Sequence, residues 1–167
     1  DTWFHSVISG LQSLHVLGLV HADVKPDNIL GRRGEHVVLC DMGLARGWDD
    51  AMTHRERAYT SSYCPPESSE NAHMFIQVTD QSDMWAAAAS FLGVFSGFIP
   101  DNMLCDEGEE QNRLRLLHHD LVICDARTQW MDEAHAPPTI RPFLCQCLEF
   151  DPHRRPKCTN TTPIQSW

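Results

Sequence analysis

The chain has 167 residues, 42% of them apolar, and a formal net charge of -10 at pH 7. That length suits one domain or a large piece of one, and the apolar share suffices for a buried core. The acidic balance argues against non-specific nucleic-acid binding and against docking on an anionic membrane; it fits solubility first, and steering of basic peptides second.

Phe4, Val7, Ile8, Leu11 and Leu14 recur at helical spacing, and Gly18 is a plausible stop for that helix. Leu19-Val20-His21 leads into a polar segment, Ala22 to Asn28. Ile29-Leu30 is a short apolar run, Gly31 to Glu35 reads as a turn, and His36 to Cys40 reads as a strand, so the two runs form a small β-hairpin. Asp41 to Glu67 is polar and irregular, and a loop that long inside a domain is usually functional or disordered. Thr79 to Phe98 is apolar nearly all round, the mark of a helix at the centre of a domain. Pro100 to Gln111 is an acidic loop, two or three further helices end with Ile140 to Phe150, and Thr159 to Trp167 is expected to be weakly structured.

The seven cysteines are scattered and form no secreted disulfide framework, which points to an intracellular compartment, cytoplasm or nucleus. Cys145 and Cys147 lie in an apolar helical pattern with Cys158 beyond; four metal ligands at workable spacing are not in view, so packing is their expected role. His118-His119 reads as a solvated helix face. No stretch reaches the roughly 18 apolar residues of a membrane span, and no signal peptide is visible. The chain begins at Asp1 already in a helical pattern, as a piece cut from something longer would.

The segment His21-Ala22-Asp23-Val24-Lys25-Pro26-Asp27-Asn28 carries the sharpest chemical signal. Alone it could be a solvated turn. The hairpin changes this, because Asn28 precedes its first strand and Asp41 follows its second, and an antiparallel pair brings those positions together. Asn28, Asp41 and Asp23 then share one mouth. Two carboxylates and an amide oxygen are hard ligands that suit Mg²⁺ carrying phosphates. Lys25 can reach a transferring phosphoryl group as a point charge.

This segment resembles the catalytic loop of eukaryotic protein kinases, and Asp41-Met42-Gly43 resembles their Asp-Phe-Gly motif. The resemblance implies a serine/threonine kinase that moves phosphate from ATP, with Mg²⁺, to a protein hydroxyl. It implies that Asp23 takes the hydroxyl proton, that Lys25 contacts the γ-phosphate, and that Asn28 and Asp41 hold the metal and its nucleotide. Thr60-Ser61-Ser62-Tyr63-Cys64-Pro65-Pro66-Glu67 resembles the end of an activation segment, where Thr60 would brace Asp23 and Lys25. Ser82-Asp83-Met84-Trp85 resembles the start of the family's central helix, whose Asp, here Asp83, ties down the catalytic-loop backbone. Cys147 to Pro152 with Arg154-Arg155-Pro156 resembles the family's last helical motif, in which Arg155 would pair with Glu67. His21 joins Glu67, Asp83 and Arg155 as structural support. The fold implied is the α+β fold of the family, of which this chain is the mostly α-helical C-terminal lobe with a small β-hairpin, over residues 1–158, followed by a tail at 159–167.

The sequence departs from the family in three places. No Gly-rich loop, strand Lys or partner Glu is present, so the N-lobe is expected either in cis, upstream of these residues, or lost from a truncated relic, and this chain alone is expected to be inactive. Ala22 stands where the family usually has Arg, so activity is expected not to require activation-loop phosphorylation; Arg46, Arg55 and Arg57 read as solvated charges. Thr53, Thr60, Ser61 and Ser62 are possible acceptors without distinction. Met42 replaces Phe and can fill a similar pocket. Two alternatives remain beside the enzyme: a pseudokinase or lobe fragment acting as a scaffold, and a small-molecule kinase, which the Pro-Pro-Glu and Arg155 motifs disfavour.

Overall fold

In a computed structural model of the chain, the described residues are 2–31, 36–48, 63–65, 67, 78–96, 127–132 and 134–158. They are mostly helical, with two small two-stranded sheets. Helix α1 spans Thr2–Val16 and buries Phe4, Val7, Ile8, Leu11 and His15. The stripe therefore closes on His15 and not on Leu14, which is only half-buried, because four residues beyond Leu11 continues the buried face better than three. Gly18 takes φ 73 just past the helix, a conformation that costs glycine little, and its N–H donates to His15 O at 3.0 Å.

Strand β1 (Leu19–Val20) follows, then a 3₁₀ turn at Pro26–Asn28, strand β2 (Ile29–Leu30) and strand β3 (Val38–Leu39). Strands β2 and β3 pair antiparallel, with Ile29 opposite Leu39 and Leu30 opposite Val38. The expected hairpin is present with a shorter second strand. Val37 and Leu39 face the core while Val38 faces out, the period of two that a strand imposes. Gly10 lets α1 approach β3 closely: a Cβ there would meet Leu39 Cδ1 at 3.2 Å.

The segment expected to be irregular after Asp41 holds local structure. A 3₁₀ turn at Met42–Leu44 leads to strand β4 (Arg46–Gly47), which pairs antiparallel with β1 just before the polar loop that begins at Ala22. Two-residue strands are too short to show periodicity, and this pairing is non-local, so no pattern in the sequence announces it.

Helix α2 spans Asp80–Ser96, starting one residue later than expected because Thr79 caps it: Ser82 N–H donates to Thr79 Oγ1 at 3.3 Å. Met84 to Ala89, Phe91 and Leu92 are all buried, and α1 and α2 pack against each other. Phe91 meets Phe4 edge-on, at 5.1 Å between ring centroids. A short helix, α3, occupies 127–132, and α4 spans Arg141–Cys147, shorter than the Ile140 to Phe150 expected. Cys147 and Cys158 are fully buried in the core, and burial above all pushes the Cys147 thiol well up. Among the described residues no helix is long and apolar enough to cross a membrane. Thr60, the other acceptor hydroxyls, Arg55, Arg57, Pro66, the Pro100 to Gln111 loop, His118-His119 and the 159–167 tail lie outside the described residues.

Candidate active site

The site forms where β1, the polar loop and the β2–β3 hairpin meet above the start of α2. Asp23 is buried in this loop. Its Oδ2 accepts from Lys25 Nζ at 2.8 Å and from Asn28 Nδ2 at 3.0 Å. Asn28 Nδ2 also donates to the Asp23 backbone oxygen at 2.8 Å, so both amide hydrogens of Asn28 close the loop onto Asp23. That use of the amide nitrogen leaves the Asn28 carbonyl oxygen as the acceptor the side chain can offer.

The hairpin brings Asp41 to the same end. Cys40 N–H donates to Asn28 O at 2.9 Å, and the residue after Cys40 is Asp41. Asp41 has φ 61, in the left-handed region that Asp tolerates better than most residues, and its Oδ1 accepts from Gly43 N–H at 3.2 Å. Its side chain is exposed. The structure thus brings Asp23, Lys25 and Asn28 into direct contact and sets Asp41 beside them through the backbone. Leu30 and Val38, opposite each other on the outer face of the hairpin, are both exposed and give an apolar surface next to these polar groups.

Three buried residues hold the loop from behind. The Asp83 carboxylate accepts from His21 N–H at 2.8 Å through Oδ2 and from Ala22 N–H at 3.0 Å through Oδ1. Ala22 has φ 65 and its methyl group is fully buried. His21 Nδ1 accepts from Asp23 N–H at 3.3 Å, which leaves Nε2–H to donate to Cys40 O at 3.1 Å. One imidazole in this tautomer therefore ties the polar loop to the residue before Asp41.

The second support also lies at the first turns of α2, around Gln81, Ser82 and Trp85. Arg155 forms a two-point pair with Glu67, with both N···O distances 2.7 Å. Its guanidinium also donates to the carbonyls of Glu149 at 2.6 Å and Phe150 at 3.1 Å, and sits 5.0 Å from the Trp85 ring centroid. Ser82 Oγ donates to Glu67 Oε1 at 3.1 Å, linking this pair to the first turn of α2.

Sequence reasoning missed four contributors. His15 lies 2.9 Å from Asp83; a histidine on an otherwise apolar stripe was the available signal. Ser82 and Trp85 were read only as neighbours of Asp83, and nothing in the sequence marks their contacts. Tyr63 is the remaining one with electrostatic consequence: burial first, and the Asp27 carboxylate second, raise its phenol above 10.0.

A loop closed by Asn28 on Asp23, an aspartate set beside it by a hairpin, and a central helix anchoring the loop by a buried carboxylate together make up the candidate site. The chain belongs to the protein kinase family: the model of the protein kinase domain matches residues 1–165. It is 26% identical over 91% of its length to a "Protein kinase and PP2C-like domain-containing protein" of Oryza sativa subsp. japonica, covering 26% of that protein. It is 26% identical over 95% of its length to "Probable serine/threonine-protein kinase fhkE" of Dictyostelium discoideum, covering 22% of it. It is 28% identical over 92% of its length to "Inactive serine/threonine-protein kinase PLK5" of Mus musculus, covering 23% of it. The chain thus spans about a quarter of the length of these curated relatives.

Proposed function

We propose that this chain is the C-terminal lobe, over residues 1–158, of a protein kinase that transfers phosphate from ATP to a serine or threonine hydroxyl of a protein. The observation that carries the reading is the loop in which Asp23, Lys25 and Asn28 touch one another while the hairpin sets Asp41 at the same mouth.

The residues fit ATP with Mg²⁺. Asn28 has spent its donors on Asp23 and offers an oxygen, and Asp41 offers a carboxylate; both are hard donors of the kind Mg²⁺ takes. Among the described residues no three His, Cys, Asp or Glu side chains cluster as a metal cage. That suits an ion which arrives with phosphate and water ligands and needs only one or two from the protein. When bound, ATP and Mg²⁺ supply the phosphoryl group and the charge that neutralises it. Asn28 and Asp41 hold the metal in this reading. Asp23 orients the acceptor hydroxyl and takes its proton. Lys25, now on Asp23, turns its charge toward the γ-phosphate. Thr60 braces both. Leu30 and Val38 give the floor of the cleft an apolar surface, and an N-lobe in cis supplies its roof. Ala22 brings no charge to receive a phosphorylated activation segment, in keeping with activity that does not need one.

The intracellular location expected from the cysteines is part of the same proposal. A second reading, a non-catalytic scaffold, draws on the relative named inactive. The presence of Asp23, Lys25, Asn28 and Asp41 weighs against it. The test is phosphate transfer from labelled ATP to a generic basic protein by the full-length native product containing this chain. Asp23→Asn keeps the shape and removes the base, and should lower transfer by about 100-fold or more. No transfer by either protein would favour the scaffold.

A further inference from the structure

Arg127, on α3, takes no part in the chemistry proposed above, yet its side chain is only 9% exposed. Its Nη1 donates to the Cys145 carbonyl at 3.0 Å and pairs with the Glu149 carboxylate. Such a pair is weak evidence for stability by itself, since well-packed apolar side chains often serve as well.

Glu149 is also a neighbour of Arg155. Its backbone carbonyl accepts from Arg155 Nε at 2.6 Å, which places that cation within about 5 Å of the Glu149 Cα, inside the reach of its side chain. Arg155 has no N–H to spare. Nη1 donates to Glu67 and to the Gln81 carbonyl, and Nη2 to Glu67 and to the Phe150 carbonyl. A second carboxylate can reach this guanidinium only by displacing one of those acceptors.

Two carboxylates thus stand near one buried cation. Glu67 and Glu149 are 25% and 26% exposed, so pairing with Arg155 dehydrates one about as much as the other. Distance along the chain favours Glu149, which is 6 residues from Arg155, over Glu67, which is 88 away. After a local opening the nearer acid regains its contact at the lower entropic cost. Arg127 removes that competitor by holding the Glu149 carboxylate on α3.

We propose that Arg127 is a positioning residue: by pairing with Glu149 it reserves Arg155 for Glu67, and so keeps Glu67 on Ser82 in the first turn of α2. Its kinetic consequence rests on the phosphoryl-transfer reading; its effect on the Glu67 contact does not.

Arg127→Met and the double variant Arg127→Met/Glu149→Gln, in the full-length native product, separate this role from packing. Both lose the Arg127–Glu149 pair, so packing alone predicts the same defect in each. Only the double variant also loses the competing charge. The reading is the shift in urea midpoint caused by Glu67→Gln in each background. We expect that shift to shrink to less than half in Arg127→Met, where Glu149 has taken Arg155, and to return to full size in the double variant. For a basic protein substrate, kcat/KM should fall about fivefold in Arg127→Met and recover in the double variant, with KM for ATP within about twofold throughout. An undiminished Glu67→Gln shift in Arg127→Met overturns the proposal. So does an equal reduction in both backgrounds, which makes Arg127 a packing residue only. If Arg127→Met does not fold, a folded double variant supports the proposal and an unfolded one overturns it. If the unaltered protein transfers no phosphate, the phosphoryl-transfer reading fails by itself, and the midpoints still decide the part played by Arg127.

Discussion

At the residue scale, two non-glycine residues of the candidate site, Ala22 and Asp41, have left-handed backbone, at φ 65 and φ 61. Each is held by hydrogen bonds to a carboxylate: Ala22 by that of Asp83, Asp41 by its own, which receives Gly43 N–H. Backbone held in a sparsely populated conformation by such bonds is a common mark of functional loops. Neither angle was legible in the sequence, since alanine gives no sign of it. Tyr63 offers a separate handle on the geometry, because its phenol is raised by burial and then by Asp27. A group whose folded value lies above its unfolded value of 10.0 contributes stability that is fully present below that pH and is lost as pH rises through the raised value. Ultraviolet titration of a Tyr59→Phe protein should show a phenol ionising above 10.0, and adding Asp27→Asn should lower its value. An ordinary titration that ignores Asp27→Asn would contradict the contact.

At the scale of elements, α1 was legible from its helical period, α2 from a run apolar nearly all round, and the hairpin from two apolar runs on either side of a turn signal. In α1 that period misled by one residue, Leu14 for His15, since an apolar side chain was taken for the core and a polar one passed over. Strand β4 and its pairing with β1 were not legible, since two residues show no alternation and their partner lies far off in sequence. The link between Glu67 and Arg155 was expected from family resemblance alone; geometry adds why it should matter. Arg155 is buried with carbonyls and the Trp85 face around it, and Glu67 is its one carboxylate partner among the described residues. Glu67→Ala would leave that charge buried and unpaired, at a cost of roughly 3 kcal/mol in unfolding free energy measured by urea denaturation. A loss under about 1 kcal/mol would place the pair with ordinary surface ion pairs.

At the scale of the whole molecule, one hydrogen-bonded line runs from α1 through α2 to the loop: His15, Asp83, then the His21 and Ala22 amides, then Asp23. The outer half of the site, with Asn28 and Asp41, is joined to it by His21 through Cys40. The catalytic loop was legible as a motif, and the hairpin supplied its geometry. The line behind it was not, because buried contacts between distant helices leave no local pattern.

The central claim is that Asp41 completes a site for ATP with Mg²⁺. Asn can keep the left-handed backbone and the bond from Gly43 while removing the charge, so Asp41→Asn tests the ligand without disturbing the turn. The measurement is the thermal midpoint of the full-length native product with ATP, with and without Mg²⁺. The account predicts a rise with ATP and Mg²⁺ that is much smaller without the metal, and loss of the metal-dependent part in Asp41→Asn. No rise in the unaltered protein, or an equal Mg²⁺-dependent rise in Asp41→Asn, would contradict it.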